Sequence, residues 1–252
     1  MASSIEYEVS DSIGVLRICR EDTHNALGRD ELDALAETLD AVTADREVRV
    51  LIVTGAGTRT FCSGAFLGDL NAGRITPKQF QAVMHRLAVL RVPTIARVNG
   101  SVFGGGAELA LSCDFRIGVS GSRLRVPAAA IGLCYPPAGI ARFVDKLGAN
   151  TARRMLVASE TLNAEELFRV GFYDYLVDRD DLDGRVEELA LHIAGLAPLA
   201  ASAMKELVIQ AEQGTIDMAR ADALARQCAD SDDLQEGFAA QAEKRAPRFE
   251  GR

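Results

Sequence analysis

The chain has 252 residues, of which 48% are hydrophobic and 25% are charged, and its formal net charge at pH 7 is −8. This composition is typical of a folded globular protein and excludes disordered, collagen-like and disulfide-scaffold chains. Because no run of Lys or Arg offsets the acidic charge, we expect neither a nucleic acid nor a membrane surface as a partner.

The sequence carries no pattern of a membrane span, a targeting peptide or a metal site. Its most apolar region, residues 92–119, is interrupted by Arg97, Glu108 and Asp114, whereas a spanning helix needs roughly 18 apolar residues. The first eleven residues lack the basic and apolar segments of a signal or transit peptide, which predicts a cytoplasmic protein. Five widely spaced cysteines and three scattered histidines predict reduced thiols and no bound metal.

Strands and helices alternate in the first half of the chain. Alternating apolar residues at 5–9 and 14–19 predict a β-hairpin, and Leu32, Leu35 and Leu39 recur at the spacing of an amphipathic helix. A continuous apolar run, typical of a strand buried on both faces, lies at residues 48–54, and two further strands are predicted at residues 94–98 and 114–119. Helices are predicted between these strands, at residues 76–90 and 105–111. Strands joined by helices predict an α/β protein with a mainly parallel sheet.

From about residue 136 the pattern is mostly helical. A capping-box pattern begins at Asn163, and further helices are predicted at residues 181–194, 198–213 and 216–227. The alanine-rich faces of these helices have two explanations. They either pack against a neighbouring subunit or reflect only the high helix propensity of alanine.

Gly104, Gly105 and Gly106 lie between a predicted buried strand and a predicted helix. Glycine at such a place implies a positive φ angle or a close approach of the main chain to another group. One interpretation is tight packing of the helix on the strand. The other is that amides at the start of the helix form half of an oxyanion hole, with the second half from the small-residue loop at 61–67.

Glu108 lies about one turn into the same helix, within an otherwise apolar segment. A carboxylate in such surroundings has a raised pKa and can carry a proton in catalysis. The alternative is a structural ion pair with Arg97 or Arg142.

Six segments together resemble the enoyl-CoA hydratase/isomerase (crotonase) superfamily over essentially the whole chain. They are H-N-A-L at 24–27, V-L-I-V-T-G-A-G at 50–57, F-C-S-G-A at 61–65, P-T-I-A-R-V-N-G at 93–100, G-G-G-A-E-L-A-L-S-C-D at 104–114 and E-K-R-A-P-R-F-E-G-R at 243–252. The resemblance implies a crotonase-like ββα spiral core in residues 1–195 and a C-terminal helical trimerisation region in residues 196–252, which form one functional unit. It also implies a homotrimer or a dimer of trimers.

The resemblance further implies an acyl-CoA thioester as the substrate, with coenzyme A part of that substrate and no permanently bound cofactor or metal. Carried over residue by residue, Ala65 and Gly105 supply the oxyanion-hole amides, and Glu108 matches the first of the two acid/base glutamates of the hydratases. Contacts to the substrate and its coenzyme A are implied at Asn25, Ala26, Leu27, Ser63, Gly64, Leu67, Gly104, Lys244 and Phe249. Lys244 is matched to a phosphate contact and Phe249 to an adenine contact. The alternatives are a solvated charge and a tail aromatic packed on a neighbour.

The chain departs from the two-glutamate hydratases at the second carboxylate. In those enzymes this glutamate follows a proline, and the matching position in the segment V-P-A-A-A-I-G is Ala128. The aspartate common after S-G-A is replaced by Phe66. Tyr135 is a candidate substitute for the missing proton donor, the alternative being a packed aromatic with a satisfied hydroxyl.

We therefore expect an enzyme that stabilises the enolate of an acyl-CoA thioester. A lyase of the enoyl-CoA hydratase type is the first expectation, because Glu108 occupies the position of the water-activating glutamate. An enoyl-CoA double-bond isomerase is the second. A catalytically silent acyl-CoA-binding homologue is the alternative from another functional class.

Overall fold

The computed structural model of the protein describes residues 4–252. Residues 1–3 belong to the N-terminal stretch from which a cytoplasmic location is predicted, and they lie outside the described residues.

Two β-sheets form the centre of the described part of the chain. The larger sheet has the spatial order β1 (Ile5–Ser10), β2 (Ile13–Ile18), β3 (Val50–Gly55), β5 (Thr94–Val98), β7 (Phe115–Val119) and β10 (Tyr175–Val177). The smaller sheet has the order β4 (Thr60–Cys62), β6 (Ser101–Phe103), β8 (Arg123–Arg125) and β9 (Leu162–Asn163). β1 and β2 form the predicted antiparallel hairpin, and every other neighbouring pair in the larger sheet is parallel. The predicted α/β class with a mainly parallel sheet is confirmed.

Helices surround both sheets. In chain order they are α1 (Arg29–Ala44), α2 (Leu67–Asn71), α3 (Pro77–Ala88), α4 (Gly105–Leu111), α5 (Pro137–Ala152), α6 (Ala164–Arg169), α7 (Leu182–Ala194), α8 (Pro198–Glu212), α9 (Met218–Ala229) and α10 (Asp232–Glu243). The chain repeatedly places one strand in the larger sheet, the next in the smaller sheet, and then a helix. β3 and β4 precede α2, β5 and β6 precede α4, and β7 and β8 precede α5. This repeat is the expected ββα spiral.

The larger sheet is covered on both faces. Along β3, Leu51 and Val53 pack in a core with α1 and α3, whereas Val50 and Ile52 pack against α7 on the opposite face. Successive side chains of a strand point to opposite faces. The continuous apolar run at this strand therefore has the predicted cause, which is burial on both sides.

The second half of the chain contains more strand than the sequence indicates. β10 extends the larger sheet beside β7, and β9 pairs with β8. Two- and three-residue strands are too short to produce a periodic pattern, and their pairing depends on distant partners. α9 begins at Met218 because the side chain of Asp217 caps it by accepting a 3.1 Å hydrogen bond from the amide of Arg220.

The C-terminal helices contact the core through ion pairs. Lys205 of α8 lies 2.7 Å from Asp114 and donates to the carbonyl of Val92 at 2.9 Å. Lys146 of α5 pairs with Glu212 at 2.7 Å.

Within residues 4–252, no single helix has the length and hydropathy needed to cross a membrane. Two adjoining segments, Arg179–Ala194 and Pro198–Glu212, meet these criteria only when taken together, and they are bent by 106°.

Candidate active site

The smaller sheet brings the two small-residue loops together. β4 and β6 are parallel neighbours, with Thr60 opposite Ser101. The loop that begins at Ser63 leaves the carboxyl end of β4, and Gly104 follows the carboxyl end of β6. Carboxyl ends of adjacent parallel strands are the usual place for ligands in α/β proteins.

The two backbone amides expected to form the oxyanion hole belong to these loops. Ala65 forms an isolated parallel bridge with Leu27, in which Leu27 N donates to Gly64 O and Phe66 N donates to Leu27 O, both at 2.8 Å. Because the neighbours of Ala65 make these bonds, the N–H of Ala65 itself points away from Leu27. Gly105 is the first residue of α4, so its N–H has no acceptor within the helix.

The main chains of the two loops touch at Gly64. Its φ angle is +86°, and a Cβ atom at this position would lie 2.2 Å from the amide nitrogen of Gly105. Gly104 has φ +50° and ψ −128°, which turns the chain into α4. Glycine is therefore required for both conformation and close approach. The contact places the amides of Ala65 and Gly105 near each other, as two donors to one oxygen require.

The carboxyl group of Glu108 is buried, with the residue only 1% exposed. The side-chain amide of Gln81 donates to both carboxylate oxygens, each at 2.7 Å. The hydroxyl of Tyr135 donates to Oε2 at 3.0 Å. The Nε atom of Arg142 lies 3.9 Å from Oε1, beyond hydrogen-bond distance.

Burial raises the pKa of Glu108 above its ordinary value, and the hydrogen bonds from Tyr135 and Gln81 and the charge of Arg142 oppose this only in part. The charge of an ion-pair partner lowers the pKa of a carboxylate, whereas burial raises it, and here burial has the larger effect. Of the two arginines named as structural partners, Arg97 instead pairs with Asp183 at 2.7 Å, whereas Arg142 does approach Glu108. The raised pKa favours the interpretation that Glu108 is a group able to exchange a proton.

The surroundings of Tyr135 match one of the two interpretations of the sequence, a packed aromatic with a satisfied hydroxyl. Its ring packs edge-on against Phe143, with the ring centres 5.7 Å apart, and its hydroxyl is satisfied by Glu108. Burial and then the charge of Glu108 raise the pKa of Tyr135 well above 10. The phenol therefore keeps its proton at neutral pH.

The two positions that depart from the hydratase pattern differ in their surroundings. Ala128 is buried in the main core at the start of a short helical turn, Ala129–Ile131. The ring of Phe66 lies 5.1 Å from the guanidinium carbon of Arg20, a cation–π contact.

The loops expected to contact coenzyme A are adjacent, but their polar side chains are used within the protein. Asn25 donates to the carbonyls of Thr60 and Ala56, at 2.8 and 3.0 Å, and accepts from the amide of Arg20 at 3.0 Å. Ser63 donates to the carbonyl of Thr23 at 3.2 Å. These bonds hold the loops in place, and most backbone amides of the two loops are also bonded within the protein, among them Asn25 N to Arg20 O and Ser63 N to His24 O. Ala26 and Leu27 are buried, whereas the side chain of Leu67 is largely exposed.

Lys244 and Phe249 lie at and beyond the end of α10. Lys244 is exposed and ends the helix with a φ angle of +55°. Phe249 is half-buried, its ring passes near Gly237, and its carbonyl accepts a 2.6 Å hydrogen bond from Arg49.

The sequence did not single out Phe80 or Gln81 on α3. Phe80 packs so closely on Gly105 that a Cβ there would lie 2.6 Å from its Cζ atom, and Gln81 binds Glu108. The spacing of Phe80, Met84 and Leu87 marks the buried face of α3. A polar residue at the edge of that face, such as Gln81, indicates a possible polar contact, but the spacing does not show which residue of another element it meets.

The amino-acid sequence matches a known family. The sequence profile described as Enoyl-CoA hydratase/isomerase covers residues 8–252. The chain belongs to the enoyl-CoA hydratase/isomerase family. This confirms the resemblance stated from the sequence motifs.

Similar proteins span the same length. The chain is 32% identical over 254 residues to a crotonyl-CoA hydratase of Syntrophomonas wolfei, covering 98% of this chain and 97% of the relative. It is 30% identical over 250 residues to a short-chain-enoyl-CoA hydratase of Clostridium acetobutylicum, covering 96% of each. The crystal structure of an enoyl-CoA hydratase from Bacillus anthracis superposes with a TM-score of 0.90 at 27% identity, covering 99% of this chain and 100% of that one. The expected crotonase-like fold is confirmed.

Proposed function

We propose that this family member is an enoyl-CoA hydratase, which adds water across the 2,3-double bond of an enoyl-CoA thioester. The observation that carries the proposal is the position of Glu108, buried one turn along α4 from Gly105. It is supported by similarity over nearly the whole chain to relatives described as crotonyl-CoA and short-chain-enoyl-CoA hydratases.

In the proposed reaction, the amides of Ala65 and Gly105 donate to the thioester oxygen, where negative charge develops. Glu108 takes a proton from water as the water oxygen bonds to C3, and the π electrons move toward C2 and the thioester oxygen. Glu108 then returns that proton to C2 as the enolate collapses. One water molecule is added, and the carboxylate is restored.

Tyr135 has a supporting role in this proposal. Its single O–H is directed at Glu108, so it orients the carboxylate and stabilises its charge. To replace the glutamate missing at Ala128, Tyr135 would first have to break this hydrogen bond. We therefore assign proton transfer to Glu108.

Double-bond isomerisation is the second candidate, and the observation that favours it is the buried alanine at position 128. One carboxylate is sufficient for that reaction, because it removes a proton from C2 of a 3-enoyl-CoA and returns it to C4.

Separate incubations with a 2-enoyl-CoA and a 3-enoyl-CoA test the proposal, with products identified by mass spectrometry. Hydration adds the mass of one water, whereas isomerisation leaves the mass unchanged and moves the double bond. A 3-hydroxyacyl-CoA formed from the 2-enoyl ester supports the hydratase. Conversion of the 3-enoyl ester alone contradicts it. Thermal stabilisation by CoA esters without any turnover would identify a silent acyl-CoA-binding homologue.

We also propose that the C-terminal helices mediate a homotrimer or a dimer of trimers. Large apolar side chains are exposed on these helices, at Met204, Val208, Met218 and Phe238. Exposed apolar groups of this size are typical of surfaces that another chain covers. Light scattering after size-exclusion chromatography tests this proposal, since a monomeric mass in solution contradicts it.

A further inference from the structure

We propose that Gln81 is a positioning residue that partners Glu108 in both of its protonation states. This inference rests on the proposed function, in which Glu108 takes up and returns a proton during each turnover.

The geometry assigns the contact of Gln81 with ionised Glu108 directly. Nε2 of Gln81 lies 2.7 Å from Oε1 and 2.7 Å from Oε2 of Glu108. A carboxylate only accepts hydrogen bonds, so the Gln81 amide bonds to its ionised form. The contact spans both oxygens and therefore holds the plane of the carboxylate as well as its position.

The contact of Gln81 with protonated Glu108 would use the carbonyl oxygen of Gln81. This Oε1 atom is buried and has no hydrogen-bond partner, so in the present orientation the amide is bonded through Nε2 alone. A half-turn of the terminal amide exchanges the places of Oε1 and Nε2. The carbonyl oxygen then accepts a hydrogen bond from the O–H of a protonated Glu108, and a buried acceptor that is otherwise unsatisfied gains a partner.

The other charged or titratable groups that face Glu108 are less suited to donate to its ionised form and accept from its protonated form. Arg142 of α5 has donors only, and its Nε atom is buried without a partner, 3.9 Å from Glu108. Tyr135, just before α5, donates to Oε2. The buried Cys62 on β4 faces Tyr135 and contributes to raising its pKa. Gln81 is the group on α3 that meets the carboxylate, and it is uncharged at every pH.

α3 is held firmly enough to position Gln81. Its first turn is closed by a capping box, in which Thr76 and Gln79 exchange hydrogen bonds. Phe80 and Met84 are buried on either side of Gln81 in the sequence. Gly139 leaves room for the amide, because a Cβ at that position would lie 3.0 Å from Nε2 of Gln81.

Gln81→Met and Gln81→Glu test the proposal against wild type in pH profiles of kcat and KM. Gln81→Met keeps the length of the side chain but removes the donor that favours the ionised carboxylate. We expect kcat to fall about tenfold or more, KM to stay within about twofold, and the acid limb of the profile to move to higher pH. Gln81→Glu places a second carboxylate against Glu108, and we expect its acid limb to lie higher still.

Lys78→Met, at an exposed position on the same helix, is the matched control and keeps the wild-type profile. A Gln81→Met enzyme with the wild-type kcat and acid limb overturns the proposal. So does a Gln81→Glu enzyme whose acid limb moves to lower pH.

A measurement without turnover separates this proposal from the proposed function. The free energy of unfolding is measured against pH for wild type, Glu108→Gln, Gln81→Met and the double variant. Glu108→Gln changes the free energy of unfolding by an amount that depends on whether Glu108 is ionised. The pH at which this amount changes therefore reports the ionisation of Glu108. We expect that pH to be higher in the Gln81→Met background, even if no enoyl-CoA is hydrated. An unchanged pH overturns the role of Gln81 whatever the reaction is.

Discussion

The hydroxyl group of Tyr135 donates a 3.0 Å hydrogen bond to the carboxylate of Glu108. Burial and the charge of Glu108 keep the pKa of this phenol well above 10, so at neutral pH the proton stays on Tyr135. The bond connects α4, which carries Glu108 one turn from Gly105, to the segment that leads into α5.

Glu108→Gln removes the ability to exchange a proton while keeping the size of the side chain. If Glu108 is the acid/base group, we expect kcat to fall by roughly 100- to 10,000-fold, with binding of CoA esters retained. Steady-state kinetics and calorimetric binding of a CoA ester measure the two effects. Glu37→Gln, the same change at an exposed residue of α1, should leave both values unchanged. A fully active Glu108→Gln protein would contradict the mechanism.

The same variant has a predicted pH dependence of stability. Because the pKa of Glu108 is raised on folding, the folded state prefers the protonated carboxyl, and this stabilisation is lost as the pH rises through the folded pKa. Glutamine does not ionise. We therefore expect Glu108→Gln to become more stable relative to wild type as the pH rises from below the ordinary glutamate pKa to neutral.

Denaturant unfolding at a series of pH values measures this difference. The opposite slope would indicate that the negative charge of Glu108 stabilises the fold through Arg142. In that case Glu108→Gln would leave a buried cation without its partner and lower stability by about 3 kcal/mol at neutral pH.

Tyr135→Phe removes one of the donors that favour ionised Glu108. We expect the acid limb of the pH–rate profile to move to higher pH and kcat to fall by about tenfold. A fall of 100-fold or more is expected only if Tyr135 itself transfers a proton to the substrate. Tyr175→Phe, on β10 beside Arg185, is a suitable control because it removes a hydroxyl elsewhere. An unaltered pH profile in Tyr135→Phe would show that the hydrogen bond does not influence the ionisation of Glu108.

Gly64→Ala should separate the two loops of the candidate oxyanion hole. The added Cβ would lie 2.2 Å from the amide of Gly105 at a φ angle of +86°, so the main chains must move apart. We expect kcat to fall by about 100-fold or more, as when an oxyanion donor is lost. Gly73→Ala is the matched control, because Gly73 has φ +68° but nothing within 4 Å of the added Cβ. Equal effects of the two substitutions on kcat would assign the loss to backbone strain alone.

Lys244→Ala tests the phosphate contact implied for the C-terminal segment. The net charge of −8 repels a polyanionic substrate, and a local cation offsets this repulsion over a screening distance of about 8 Å at physiological salt. We expect weaker binding of CoA esters, with a larger effect at low ionic strength. Titration of a CoA ester at two salt concentrations provides the measurement. Lys78→Ala removes an exposed lysine from α3 and controls for net charge. Equal affinities for the two variants would exclude Lys244 from the site.

The sequence by itself determined the features that depend on neighbours a few residues apart. Apolar patterns located the hairpin, α1 and the buried strands, the capping residues at 76–79 located the start of α3, and α4 has the predicted bounds, Gly105–Leu111. Gly104, Glu108 and the alanine at position 128 were recognised from motifs that are continuous in the chain. Period and motif are local properties, so they are readable without the fold.

Only the tertiary structure decided which groups meet. Gln81 and Tyr135 each lie 27 residues from Glu108. Helical spacing shows that a residue borders a buried face, but it does not show which side chain packs against that residue. The close approach of Gly64 to Gly105 depends on the pairing of β4 with β6, strands too short to leave a pattern. The sequence also predicted Asn25 as a substrate contact. In the fold, its side chain forms hydrogen bonds with backbone groups of Thr60, Ala56 and Arg20. Such contacts arise from long-range packing, in which the position of each group is set by all the elements between the two partners.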